Sequence, residues 1–374
     1  MPSVRQSKAV RSLPISVRAL GREAGLPGQV PVRELLRRTG MFTKPVHIKV
    51  LRYTWGTVAP DARNHPIWPD AALNEILHAP NGWSLGDFWS DATLRLFELR
   101  FSVEPWRVLV NVSHKDARDD RGGVVDKCRH QAEQDGVSFE GVDRIVAMVH
   151  PPPVNAGAVG GNAVLDQGAF GLSFFQHELG HVLGFEHAFG PCGDYVYQDD
   201  YSVMGFSAVQ TRAIAVPAAF TGVQVLEAAT FWNSDRALSP AALYRYAGDF
   251  AASSSVIRVD LATRPRVRLA AFGQAGLHDP VLAVASTAQG EIMAEYRARF
   301  GQDGGVQPAV VVHSLRRRPV LRWHGEQDPV WYEGHMGVSS PVPSPGPSVS
   351  VDTVFKAELV SVTPDLRYVE VVLS

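Results

Sequence analysis

The chain has 374 residues, enough for about two or three domains, and its 45% apolar and 20% charged content is that of a folded globular protein. A formal net charge of −2 excludes a general nucleic-acid binder, whose surface would be basic. No apolar run approaches the length needed to cross a bilayer.

Residues 1–44 carry nine Lys or Arg against Glu23 and Glu34. A flexible basic leader is expected there, with transit-peptide and propeptide readings open, and no secretory h-region is seen. Within it, Pro31, residues 32–38 and Gly40 suit one short helix, proline at the start and glycine past the end. Residues 46–53 alternate as a strand should. The prolines and tryptophans of 54–69 mark a long loop. Residues 71–78 suit a short helix, and Ser84 is placed to cap another through Asp87, Phe88 and Trp89. Residues 94–103 and 106–112 read as two further strands.

Asp116, Asp119 and Asp120 lack the spacing of a calcium loop, so a solvated turn is expected over them. A helix over 123–134 and an apolar strand over 145–149 follow, the strand ended by Pro151-Pro152-Pro153. His150 reads as a structural histidine. Cys128 and Cys192 allow at most one bridge, and a disulfide and two buried thiols both stand.

Residues 173–187 carry the chemistry. His177 and His181 are four apart, so a helix presents both from one face, with Glu178 beside them as candidate base. Ser173 and Gln176 have capping-box spacing for the helix start. Gly184 suits a left-handed stop, after which His187 returns as a third nitrogen. Three His ligands around zinc leave a fourth position for water, as catalytic sites do.

The run from His177 to His187 resembles the extended zinc motif of the metzincin metalloproteases. The resemblance implies a methionine turn beneath the metal, and Asp200-Tyr201-Ser202-Val203-Met204-Gly205 is similar to it. It also implies an edge strand that pairs with substrate, expected at Gly161, Asn162, Ala163, Val164 and Leu165, where an irregular glycine loop is the other reading. The approach to Met204 is similar to that of gametolysin-like metallopeptidases, as more loosely are Glu295-Tyr296-Arg297 and Val310-Val311-Val312-His313. Members of that group are secreted or surface proteases.

A helix is expected over 217–232. From about residue 253 short alternating strands suggest a β-sandwich, at 256–261, 267–271, 281–285, 291–297, 309–312 and 368–373. The Pro/Ser-rich run 339–348 reads as an exposed loop. The expected fold is α+β: a leader over 1–44, a metzincin-type zinc domain over 45–250 and a β-rich domain over 251–374. The expected function is zinc-dependent hydrolysis of protein or peptide substrates, with Glu178 as general base. A binding or adhesion protein with structural zinc, and a zinc hydrolase of a non-peptide amide, stand as alternatives.

Overall fold

The computed structural model describes residues 44–55, 70–78, 84–110, 112–150, 156–165, 172–190, 199, 201–205, 237–274, 279–300, 303, 306–316, 330–342 and 344–374. The expectations over 1–43, 56–69, 151–155 and 217–232, and Cys192, lie outside them.

The chain is an α+β protein. Its first sheet contains Lys44–Trp55 (β1), Phe97–Leu109 (β2), Arg144–His150 (β3), Gly157–Val159 (β4) and Asn162–Leu165 (β5), in the order β2-β1-β3-β5-β4. β1 is parallel to β2 and β3, β3 is parallel to β5, and β4 is antiparallel to β5.

Strand alternation sends side chains to two faces. Ile48, Val50, Val146, Met148, Ala163 and Leu165 bury on one face with the helices Asp70–His78 (α1), Leu85–Ala92 (α2) and Leu172–Val182 (α5). Leu51, Tyr53, Ile145, Ala147, Val149 and Val164 bury on the other against Arg121–Gln134 (α4), which follows the short helix His114–Asp119 (α3). Ser84 caps α2 by accepting from Asp87 N–H, as its sequence position suggests.

Three local expectations are corrected. The segments 94–103 and 106–112 are one strand, β2, which runs through Pro105. Proline is tolerated because β2 lies at the sheet edge and the register slips between Val50 and Arg52 of β1, opposite this point. The aspartates of 116–120 form no loop: Asp116 closes a capping box with Ser113 on α3, and Asp120 caps α4. α5 begins at Leu172, so Ser173 lies inside its first turn rather than at the cap.

Beyond Pro240–Tyr246 (α6) and Gly248–Ala251 (α7) lie two more sheets. One contains Val256–Val259 (β6), Leu282–Thr287 (β8), Gly290–Arg297 (β9), Ala309–Arg316 (β10) and Trp331–Gly337 (β11), in the order β11-β10-β9-β8-β6. The other joins Ser348–Val351 (β12), Phe355–Val362 (β13) and Tyr368–Leu373 (β14) to Arg266–Ala270 (β7). Their facing residues share one apolar cluster that includes Leu269, Tyr296, Val312, Phe355 and Val371. That cluster lies wholly beyond the expected boundary near residue 250, but the boundary is crossed by the other core. Phe272, Leu282, Met293 and Val330 pack into the same cluster as the first sheet and α5. Among the described residues no helix is long and apolar enough to cross a membrane.

Candidate metal centre

α5 carries His177 and His181 one turn apart, while Phe174, Phe175, Leu179 and Val182 bury in the core. The helix then ends as the glycine suggests. Gly184 has φ +94°, its N–H donates to His181 C=O at 2.9 Å, and Phe185 N–H donates to Gly180 C=O at 2.9 Å. These two bonds define a Schellman stop, which a residue with a Cβ would strain. The reversal brings His187 back beside the helix.

The three rings converge. His181 Nε2 lies 3.2 Å from His177 Nε2 and 2.9 Å from His187 Nε2. Nitrogens bound to one tetrahedral zinc at about 2.0–2.1 Å would stand about 3.3 Å apart, so the spacing fits a metal ion. The far sides of two rings fix their protonation. His177 Nδ1 meets Val203 C=O at 2.9 Å and His181 Nδ1 meets Phe185 C=O at 2.7 Å. A carbonyl only accepts, so both Nδ1 atoms carry the proton and the neutral rings turn Nε2 lone pairs toward each other. Lone pairs facing at this distance repel unless a cation lies between them. Burial, and after it the neighbouring His181 and His187 rings, push the His177 pKa well below the ordinary histidine value, which favours the neutral ligand form. The trio is the one group among the described residues with metal-ligating geometry.

Glu178, on the same helix, is buried, and its Oε2 accepts from Ala158 N–H at 2.6 Å. Burial pushes its pKa up to about 7, against the lowering pull of that hydrogen bond and of Arg121.

Met204 is fully buried in the turn over 201–205. That turn is tied on both sides: Ala188 N–H donates to Met204 C=O at 3.0 Å, and Val203 N–H to Ala237 C=O at 3.1 Å. The Met204 Sδ lies against Gly180 of α5, where a Cβ would also come within 2.9 Å of Trp89. Gly180 therefore has a packing reason to interrupt a helix that alanine would favour by about 1 kcal/mol. Trp89 stacks on Phe185 at 5.7 Å and donates its indole N–H to Gln176 C=O, so α2 ties the site helix to the residue just past its end.

Behind the methionine turn is a buried charge network. Arg297 donates to both carboxylate oxygens of Asp303, at 2.7 and 2.5 Å, and to Glu295 at 3.1 Å. Its Nη2 also reaches Ala237 C=O, the acceptor of the Val203 N–H. His313 Nε2 pairs with Asp199 at 3.0 Å, and Asp199 accepts from Tyr201 N–H at the start of the turn. Burial works to raise the Asp199 pKa, but His313 beside it carries it below the usual range. Burial likewise opposes the charged form of His313, yet Glu295 and Asp199 hold its pKa above the ordinary value. The loosely similar Glu295-Tyr296-Arg297 and His313 segments thus meet at the turn that holds His177.

The substrate-strand expectation is corrected. Asn162, Ala163, Val164 and Leu165 form β5, which is paired on both sides, to β3 and β4. Gly161 lies outside it. Gly160 and Gly161, at φ +55° and +77°, make the two-residue turn of a tight hairpin. Such a turn joins only antiparallel strands, so β4 is folded outside β5 and forms the edge. The Gly-Gly pair between Val159 and Asn162 was the available signal. Ala158, Arg121, Val203 and Phe185 support the site but carry no motif. Cys128 is a free buried thiol, and His150 is buried in a T-shaped contact with Trp106.

The chain matches no protein-family model and no curated protein.

Proposed function

We propose that this chain is a zinc-dependent endopeptidase of the metzincin type. The observation that carries the reading is the convergence of three histidine Nε2 atoms, two of them stripped of protons by carbonyls behind the rings. His177, His181 and His187 would hold the ion. Zinc in such a site supplies a Lewis acid and lowers the pKa of its water to about 7.

The rest belongs to the chain. Glu178 accepts the proton of the attacking water and returns it to the departing amine. The Val203 and Phe185 carbonyls keep the His177 and His181 rings in the ligating tautomer and orientation. Met204 gives the ligand set an apolar floor. The reversed edge strand β4, whose Ala158 touches Glu178, lies where a bound peptide chain can extend the sheet. Four parallel strands plus this reversed edge support the metzincin assignment.

Incubation with a mixture of unfolded proteins tests the reading. Fragments are expected with zinc and should vanish on adding a chelator. Cleavage that persists in chelator contradicts the metal mechanism, and intact proteins in the presence of zinc contradict the peptidase.

A further inference from the structure

An extended peptide that adds to β4 must pair with the main-chain groups pointing away from β5. Gly157 and Val159 pair inward with Val164 and Asn162, so the outward groups belong to Ala156 and Ala158. Each of those named here already has a partner within the chain. Ala158 N–H donates to Glu178, Ala158 C=O accepts from Arg121 Nη1 at 2.8 Å, and Ala156 C=O accepts from Arg121 Nη2 at 2.6 Å.

Arg121 is the first residue of α4, on the opposite face of the sheet from α5. Two side chains therefore close on one strand from two sides. The guanidinium lies directly against Gly157, where a Cβ would come within 2.6 Å of Arg121 Cζ. Gly157 also has φ +134°, so both its backbone geometry and its missing side chain accommodate the contact. A capped edge of this kind is how folded proteins block unwanted strand addition.

We propose that Arg121 is a latch on the substrate edge: an extended peptide enters by replacing the guanidinium with its own main-chain N–H groups at the Ala156 and Ala158 carbonyls. The inference rests on the endopeptidase reading and narrows its substrates to chains extended over several residues. A small amide cannot offer two N–H donors two residues apart, so it cannot replace both bonds. Arg121 is then a specificity-determining residue, not a catalytic one. Its other conceivable role, a brace that keeps β4 in shape for substrate, has the opposite sign. Removing a latch tightens peptide binding, whereas removing a brace weakens it.

The test titrates a long unstructured peptide into zinc-loaded Glu178→Gln protein, in which turnover is slowed about 10²–10⁴-fold, with Arg121 intact, as Lys and as Ala. Both charge-assisted bonds to the Ala156 and Ala158 carbonyls are lost in the Ala variant, so its Kd is expected to fall about tenfold, with Lys between. Capped alanine amide, too short to reach both carbonyls, should show no change between the three proteins. An unchanged or weaker peptide Kd in a folded Arg121→Ala protein overturns the latch and leaves the peptidase reading standing. If none of the three proteins binds the long peptide, both fail together. Arg121→Lys keeps the charge and covers the case in which the Ala variant does not fold: a Kd below the parent's supports the latch, and one at or above it overturns it.

Discussion

Glu178→Gln is expected to lower turnover by about 10²–10⁴-fold while the protein keeps its metal. Glutamine preserves the shape and can still accept the Ala158 N–H bond through its amide oxygen, so β4 and α5 stay in register. What it cannot do is take a proton. The three nitrogens placed to hold a metal belong to other residues, which is why metal content should not follow activity. Measuring kcat and bound zinc on the same preparation separates the two. A variant that cleaves peptides at the parental rate removes Glu178 from the mechanism, and one that loses its metal makes Glu178 part of the ligand set instead.

Arg297→Leu is expected to cost about 3–5 kcal/mol of folding stability, the penalty typical of breaking a buried ion pair from one side. Glu295, Arg297, Asp303, His313 and Asp199 are all buried, so solvent cannot replace the lost guanidinium. Two carboxylates, Asp303 and Glu295, would be left facing each other without their shared cation. Urea unfolding of the variant against Arg129→Leu gives the comparison. Arg129 pairs with Glu133 one helical turn away, but both are well over a third exposed, so water and salt screen that pair and its loss should be hard to detect. Arg297 also reaches the Ala237 carbonyl that receives Val203 N–H, and Val203 C=O in turn holds His177. The variant should therefore release metal at lower urea than the parent. Equal unfolding midpoints for Arg297→Leu and the parent would show that the network is not needed for stability.

What could be seen in the sequence follows from the range of each interaction. The metal trio was legible because helix pitch and one glycine stop determine where His177, His181 and His187 go within eleven positions. The Met204 turn was legible by its closeness to that motif. The edge strand is not legible, because Val164 and Leu165 are more apolar than Gly157 and Ala158, and hydrophobicity identifies the buried strand rather than the free one. Pro105 makes β2 read as two strands, because the register slip that accommodates it belongs to a different strand. The Asp199–His313 pair joins residues 114 positions apart, and nothing local in either segment points to the other. The change to short alternating strands near residue 253 suggests a boundary there, but one of the cores and the charge network both cross it.

Zinc titration of chelator-stripped protein tests the centre most directly. The expected result is one zinc per chain for the parent and an affinity at least about 100-fold weaker for His187→Ala, a larger loss than removing a supporting partner usually causes. A parent that takes up no zinc, or a His187→Ala protein that binds it as tightly as the parent, would contradict the convergence of His177, His181 and His187 on a single ion.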